Sequence, residues 1–221
     1  MDALIQQFFN VDIMVQAWPV LLGGLWVTLT LCAAVIPLGL LGGLGAALLA
    51  TSRHRAVRWA MVPVVDVFRA LPPLVLLIFV YSGLPFAGID LTPFQAVAIA
   101  FTLNSSAYYG EIYRAGIASV PKGQREAARS TGLTANQTMV WVVLPQAVRT
   151  VLPDLVSNTI EVVKLTSLAS VVALPELLYS ADMARSITFN ASPIVLAALL
   201  YLAILWPCVR LLSRLERRIA A

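Results

Sequence analysis

Residues 126–145 read EAARSTGLTANQTMVWVVLP, a segment that begins polar and ends apolar. Its first half is rich in helix-forming residues, and Gly132 follows where a left-handed residue closes a helix. Thr134 and Gln137 stand three positions apart, as in the capping box that starts a helix. A further helix is expected from Leu144 and Pro145. The segment therefore predicts short helices joined by sharp, specified turns.

The composition around this segment is that of a membrane protein. Hydrophobic residues make up 60% of the 221 positions and charged residues only 12%, about half the roughly 25% of a soluble domain. We therefore predict an all-α, polytopic membrane protein. Cys32 and Cys208 lie in apolar runs, and the one histidine, His54, lies in a basic loop. This distribution favours neither a disulfide framework, nor a metal site, nor a catalytic triad.

Five segments are long and apolar enough to be spans, which take about 20 residues each. They are residues 18–50, 59–81, 92–117, 153–172 and 192–212. The first is longer than a bilayer requires, so it is expected to tilt, to bend at Pro37 or to run partly along the interface. Its run GLLGGLG, residues 39–45, either offers a small face for close helix contact or reflects ordinary glycine tolerance in membrane helices.

Basic residues indicate how these spans are oriented. Twelve of the fifteen Lys and Arg fall on one side if there are five spans, and the positive-inside rule makes that side cytoplasmic. We predict an extracytoplasmic segment at 1–17, a cytoplasmic loop at about 118–152 and a cytoplasmic tail at 216–221. The net charge of +4 then reflects topology rather than nucleic-acid binding. The twelve are Arg53, Arg55, Arg58, Arg114, Lys122, Arg125, Arg129, Arg149, Arg210, Arg214, Arg217 and Arg218.

The N-terminal segment and the long loop each leave two interpretations open. Residues 1–17 contain no Lys or Arg, which argues against a cleaved signal peptide; residues 4–14 are either a short interfacial helix or a frayed terminus. In the loop, Ala127 and Ala128 present small surfaces beside charged residues. Such a helix either inserts into a cleft on a soluble partner or rests on lipid headgroups.

The spacing within the loop matches a known pattern. Glu126, Ala127, Ala128 and Gly132, followed by Leu-Pro at residues 144–145, resemble the EAA loop of the transmembrane subunits of bacterial ABC importers. Residues 107–128 (AYYGEIYRAGIASVPKGQREAA), 144–158 (LPQAVRTVLPDLVSN), 164–171 (KLTSLASV) and 68–81 (FRALPPLVLLIFVY) resemble the polar amino acid uptake branch. One departure stands at residues 69–72, where Arg-Ala-Leu-Pro replaces the family's usual Arg-Gly-Thr-Pro. The resemblance covers residues 20–215.

This resemblance implies a type I ABC transmembrane domain over residues 18–215 and a coupling helix in the EAA loop. It assigns the transmission of nucleotide-driven closure to Gly123, Glu126, Ala127, Ala128 and Gly132. The chain has only two lysines, neither in a phosphate-binding loop, so we predict that it is not an enzyme and that ATP and Mg²⁺ bind on a partner ATPase. The implied partners are cytoplasmic ABC ATPase subunits, a second permease, identical or homologous, and an extracytoplasmic solute-binding protein, all at the bacterial cytoplasmic membrane.

Glu161 and Lys164 are the charged residues near the middle of the fourth predicted span. They stand three positions apart on one helical face. Inserting either charged side chain near the centre of a membrane helix costs roughly 2.5–3.5 kcal/mol of free energy. The pair therefore faces protein or water, where it either seals a helix contact or lines a substrate path. A path-facing Glu161 favours a solute with an amino or guanidino group. The rival hypothesis is an ion-coupled secondary transporter or channel that uses this pair as a relay.

Further polar residues in the spans have local interpretations. Glu111 and Arg114 predict an ion pair that braces the loop, and Asp66 and Arg69 repeat the same acid-then-base spacing. Asn104 shares a stripe with Tyr108 and Glu111, and it either lines the path or makes an interhelical hydrogen bond. Thr166 and Ser167 either bond to their own helix or line a cavity. The function predicted is import of polar amino acids or related amines by alternating access.

Overall fold

The computed structural model describes residues 2–52 and 54–220, with side chains as far as residue 217. Within these ranges the chain forms helices, turns and loops and no strand, so the all-α prediction is confirmed. Met1 of the N-terminal segment, Arg53, and Ala221 of the tail lie outside the described residues, as does the side chain of Arg218.

The helices carry the following bounds. They are α1 Asp2–Phe8, α2 Val11–Ala50, α3 Arg55–Ala70, α4 Pro73–Ile78, α5 Pro93–Ser119, α6 Lys122–Ser130, α7 Ala135–Thr138, α8 Leu144–Leu165, α9 Leu177–Thr188 and α10 Ser192–Ala220. A wider π turn at Phe79–Gly83 extends α4, and a tighter 3₁₀ turn at Leu84–Ala87 follows it. A second π turn at Met139–Val143 joins α7 to α8, and a second 3₁₀ turn at Thr166–Val172 follows α8. Helix α2 passes through residue 17 and α10 through residue 215, so neither predicted domain boundary is a helix end.

The predicted count of five spans is not confirmed by helix length and composition. Three stretches qualify among the described residues, namely Asp2–Ala50, Ala135–Val172 and Ser192–Arg217, and a fourth qualifies if Arg55–Ala70 and Pro73–Ala87 are counted as one interrupted span. Helix α5 has 27 residues, which is long enough, but its polar run at residues 104–106 and its charged residues lower its hydropathy. Five spans therefore stay a prediction.

The second span is interrupted, so its prediction as one helix over residues 59–81 is wrong. Helix α3 ends at Ala70, Leu71 is extended with φ −70° and ψ 128°, and α4 starts at Pro73. The physical reason is the pair Pro72 and Pro73, because a proline drives the residue before it out of the helical region and brings no N–H of its own.

The helix that contains the fourth predicted span begins earlier than residue 153. Helical structure runs from Ala135 to Val172, and Pro153 lies inside α8 rather than at its start. The loop predicted at residues 118–152 is therefore α6 followed by a turn and the first part of a long helix. Pro37 likewise lies within the continuous α2. Both prolines are of the kind that membrane helices tolerate.

The chain divides into two compact units. The first comprises Met1–Ile36, Pro72–Phe101 and Ile160–Arg210. Its core packs Ala17 and Leu21 of α2 against Leu177 and Ala181 of α9 and against residues 196 and 197 of α10. Residues 4–14 are neither frayed nor one short helix, because α1 ends at Phe8 and α2 begins at Val11; an interfacial position stays a prediction. The end of α1 bonds to the turn before α10, where the Ala191 N–H donates to the Gln7 carbonyl at 3.0 Å.

The second unit comprises Pro37–Leu71, Thr102–Thr159 and Leu211–Ala221. One cluster packs Ala46, Val65 and Ala107 of three helices together. Helices α2 and α5 approach closely here, because a Cβ added at Gly43 would lie only 2.8 Å from the backbone nitrogen of Gly110. The small-face interpretation of residues 39–45 is therefore confirmed.

Candidate functional site

Helix α6 and the turn after it form as the sequence predicts, and they are called the coupling segment below after the role that the resemblance implies. Gly132 takes a φ of +89°, and its N–H donates to the Arg129 carbonyl at 3.1 Å. The next N–H, that of Leu133, donates to the Ala128 carbonyl at 3.3 Å. These two bonds form a Schellman motif, which satisfies the last carbonyls of the helix. Glycine is suited to this position because a side chain disfavours positive φ.

The capping box at the start of α7 is also present. The Gln137 N–H donates to the Thr134 hydroxyl at 3.3 Å, and the Thr134 N–H donates to the Gln137 side-chain oxygen at 2.8 Å. The helix then continues through the π turn into α8 without a gap, so residues 144–145 continue a helix instead of opening a separate one. The coupling segment is therefore one short helix that ends in a Schellman motif and is followed at once by the capped start of α7.

The exposed face of α6 carries most of the residues assigned to coupling. Gly123, Glu126 and Ala127 are exposed, whereas Ala128 is only 8% exposed and packs inward. An added Cβ at Gly123 would meet nothing within 4 Å, so this chain itself leaves room for a side chain there. Ala128 therefore packs against the rest of this chain and does not belong to the exposed face of α6.

Arg125 fastens α6 to the end of α5. Its guanidinium donates to the Ile117 carbonyl, which would accept the N–H of residue 121 if the helix continued. Residue 121 is proline, so that carbonyl lacks its helical donor. The arginine replaces the missing donor, and it does so from the helix that follows the break.

The break after α3 leaves two more carbonyls without donors. In a continuous helix the Phe68 and Arg69 carbonyls would accept the N–H groups of residues 72 and 73. Both of those residues are proline. A buried carbonyl without a donor costs about 1–3 kcal/mol, so these two need donors from elsewhere.

Asn104 and Tyr108 of α5 supply those donors. The Asn104 amide donates to the Phe68 carbonyl at 3.0 Å, and the Tyr108 hydroxyl donates to the Arg69 carbonyl at 3.2 Å. The Arg69 guanidinium also lies 5.7 Å from the centre of the Tyr108 ring. Of the two interpretations of Asn104, the structure thus gives the interhelical hydrogen bond, and Asn104 is only 2% exposed.

Glu111 completes this stripe of α5. Its carboxylate accepts two hydrogen bonds from Arg114, at 2.8 and 2.5 Å, in the arrangement predicted for the pair. Arg69 also lies 3.9 Å from Glu111. The predicted Asp66–Arg69 ion pair is not present among the described residues, because Arg69 is drawn to α5 instead. Asn104, Tyr108 and Glu111 therefore all contact the last turn of α3, the first two at its carbonyls and the third at the Arg69 guanidinium.

Apart from Asn104, the predicted substrate-path residues lie in the first unit, where two of them bond to their own helix. The Thr166 hydroxyl donates to the Val163 carbonyl at 2.7 Å and is buried, and the Ser167 hydroxyl donates to the Lys164 carbonyl at 2.8 Å. Lys164 donates to both carboxylate oxygens of Glu161, at 2.7 and 2.9 Å. Their side chains are 53% and 58% exposed, respectively, so this pair is open to its surroundings.

Glu176 is a polar residue that the sequence argument missed. It is completely buried, and its carboxylate accepts the N–H groups of Leu178 and Tyr179 at 2.8 Å each and the Tyr201 hydroxyl at 3.0 Å. Burial raises the pKa of this carboxyl, although the three donors act in the opposite direction. Glutamate is not a preferred N-cap residue, which is why local capping rules did not find it.

Comparison with known proteins places this architecture in a family. Residues 36–221 match the family described as binding-protein-dependent transport system inner membrane component. The chain is 36% identical over 200 residues to the probable amino-acid ABC transporter permease protein YckA of Bacillus subtilis, covering 90% of this chain and 88% of that protein. It is 35% identical over 211 residues to the probable glutamine ABC transporter permease protein GlnM of the same organism, covering 95% of this chain and 98% of that protein.

A solved structure agrees with these relatives. The crystal structure of an amino acid ABC transporter with histidines matches with a TM-score of 0.87 at 36% identity, over 93% of this chain and 96% of that one. The chain therefore belongs to the binding-protein-dependent transport system inner membrane component family, the permease subunits of ABC importers.

Proposed function

We propose that this permease imports polar amino acids or related amines by alternating access, as one of a pair of permeases driven by separate ATPase subunits that carry ATP and Mg²⁺. An extracytoplasmic solute-binding protein delivers the solute. The substrate class is supported by the relatives and the solved structure, whose names refer to amino acids. The observation that carries the coupling role is α6, which combines an exposed small face with a Schellman motif at its C-terminal end and a hydrogen bond from Arg125 to the end of α5.

A route for the motion follows from the hydrogen bonds of the second unit. A push on α6 reaches α5 through Arg125, whose guanidinium holds the Ile117 carbonyl. Helix α5 in turn holds the end of α3 through Asn104 and Tyr108. Because each bond joins two separate helices, displacement of α6 is transmitted to the proline break instead of being absorbed in a flexible loop.

The orientation that fits this route places the N-terminus outside and the C-terminus in the cytoplasm of a bacterial inner membrane. Helix α6 then faces the ATPase. The distribution of basic residues supports this orientation, and so does the position of Lys122, Arg125 and Arg129 on the coupling segment itself.

For the solute path we propose Glu161 and Lys164. Both side chains are open in this chain, and a charged pair is costly against lipid, so a second permease or an aqueous path is the favourable environment. Asn104, Thr166 and Ser167 are weaker candidates because their donors are engaged by backbone carbonyls. The ion-coupled alternative has no use for a capped, exposed helix such as α6.

Enlarging Gly123 tests the docking face. Gly123→Leu places a side chain where this chain leaves open space, so the fold is expected to persist while a partner is blocked. We expect transport-coupled ATP hydrolysis of the reconstituted complex to fall at least about tenfold, a change of about 1.4 kcal/mol or more in coupling. The matched control is Gly45→Leu, another helical glycine whose added Cβ meets nothing within 4 Å. Equal hydrolysis in both variants would rule out α6 as the docking helix.

A further inference from the structure

A charged cavity lies within the second unit, between α2, α3 and α5. Its volume is about 310 Å³, roughly ten times the share of liquid volume of one water molecule. Small and apolar side chains of α2 and α3 form much of its wall. Five charged residues complete it, namely Arg58, Asp66, Arg69, Glu111 and Arg114.

The arginines of this cavity retain hydrogen-bonding capacity. Glu111 already accepts the fork of Arg114 and lies 3.9 Å from Arg69. The Nε–H of Arg69 is buried and has no acceptor in the described part of the chain. Among the described residues the Arg58 guanidinium makes one long hydrogen bond, at 3.4 Å, to the Ser52 carbonyl. Three guanidinium groups therefore face two carboxylates, and the cavity has an excess of planar donors suited to a phosphate.

Asp66 does not cancel this preference at the Arg58 end. The two residues stand eight positions apart on α3, which corresponds to about 12 Å along a helix. Arg58 lies in the first turn of α3, next to the α2–α3 connection, whereas Asp66 lies deeper along the helix. An anion bound at the Arg58 end of the cavity would thus lie closer to that guanidinium than to the carboxylate.

Apolar residues that adjoin the cavity lining in sequence at its Arg58 end are exposed. Leu48 and Leu49 of α2 and Trp59 and Val62 of α3 all expose their side chains, and Val62 also lines the cavity. A soluble anion gains nothing from such surfaces, whereas a lipid places its headgroup at the arginines and its acyl chains along the apolar wall. Basic pockets between membrane helices on the cytoplasmic side bind acidic headgroups in this way.

We propose that the Arg58 end of this cavity binds the phosphate group of an anionic phospholipid, with the Arg58 guanidinium as the donor that contacts it. Only the choice of the cytoplasmic leaflet rests on the proposed orientation. The phosphate chemistry depends on the cavity alone.

The test measures lipid binding to the intact permease–ATPase complex by native mass spectrometry during titration with phosphatidylglycerol. We expect Arg58→Gln to weaken binding about fivefold, the contribution of one basic residue near an acidic headgroup. The matched control is Arg55→Gln, which removes the same charge from the same helix at an exposed residue outside the cavity lining; its binding should change less than about twofold. Copurification of the ATPase verifies that both variants fold and assemble.

Two further arms identify the source of the phosphate. Phosphatidylcholine has the same phosphodiester but a choline cation cancels its charge, so its binding should differ between the three proteins less than that of phosphatidylglycerol does, and inorganic phosphate should not displace phosphatidylglycerol. Equal binding of phosphatidylglycerol to the two variants would overturn the proposal, and displacement by inorganic phosphate would replace the lipid with a free anion. Because the readout is binding without transport, a negative result here leaves the import function untouched, and a failure of import leaves this site untouched.

Discussion

Replacing Asn104 by leucine should destabilise the permease through the Phe68 carbonyl. The bond is 3.0 Å long, and Asn104 is 2% exposed, so water cannot replace the lost donor. An unsatisfied buried acceptor costs about 1–3 kcal/mol, and interhelical hydrogen bonds in membranes contribute about 0.6 kcal/mol on average and about 1.7 at most. We therefore expect Asn104→Leu to cost about 1–2 kcal/mol, a factor of roughly 5–30 in the folded-to-unfolded ratio.

The proline at residue 72 allows a sharper version of this experiment. Pro72→Ala restores an N–H at the position from which a continuous helix would bond the Phe68 carbonyl, and it frees Leu71 to become helical. In that background the cost of Asn104→Leu should fall by more than half. Folding free energies from unfolding titrations in mixed micelles complete the double-mutant cycle.

The control is Ser105→Ala, next in sequence and also buried. Its hydroxyl has no hydrogen-bond partner among the described residues, so its loss should cost less than about 0.5 kcal/mol. If Asn104→Leu and Pro72→Ala proved additive within about 0.5 kcal/mol, the role assigned to Asn104 as substitute donor would be refuted.

Three other perturbations have definite expected outcomes. Glu161→Gln should reduce uptake of cationic amino acids more than uptake of neutral ones, about fivefold in relative rate for about 1 kcal/mol of lost attraction, and unchanged selectivity in a vesicle uptake assay would remove this residue from the solute path. Cysteines introduced at Ile89 and Gly123 in a cysteine-free background should react with impermeant reagents from the outside and the inside, respectively, and the opposite pattern would reverse the proposed orientation. Glu176→Ala removes the acceptor of three donors and should lower thermal stability by about 2–4 kcal/mol, whereas Tyr201→Phe should cost only about 1; similar melting temperatures for these two variants would contradict the capping role.

Local sequence rules predicted the coupling segment well. The cap at Gly132 and the box formed by Thr134 and Gln137 depend on residues within a few positions of each other, and both are present. Such features are set by backbone geometry that the sequence specifies directly. The exposed small face of α6 followed from the same reasoning, except that tertiary packing buries Ala128.

Contacts distant in sequence were harder to predict. The spacing of Asp66 and Arg69 permits an ion pair, but Arg69 instead engages Tyr108 and Glu111 of another helix. Hydropathy predicted one span over residues 59–81 because an average over a window does not register a proline pair. Those prolines were visible in the sequence, and the carbonyl four residues before each of them marks where an external donor is needed.

Three backbone carbonyls accept a hydrogen bond from a side chain instead of a backbone N–H, and the strength of these bonds can be followed by infrared spectroscopy. Carbon-13 in the backbone carbonyls of Phe68, Arg69 or Ile117 would shift the infrared absorption of that single group away from the rest of the protein. Each is bonded by a side chain of another helix, so its vibrational frequency should change when that bond lengthens. Infrared spectra of each labelled permease, recorded through one round of ATP hydrolysis, would then show which of the three hydrogen bonds lengthens first.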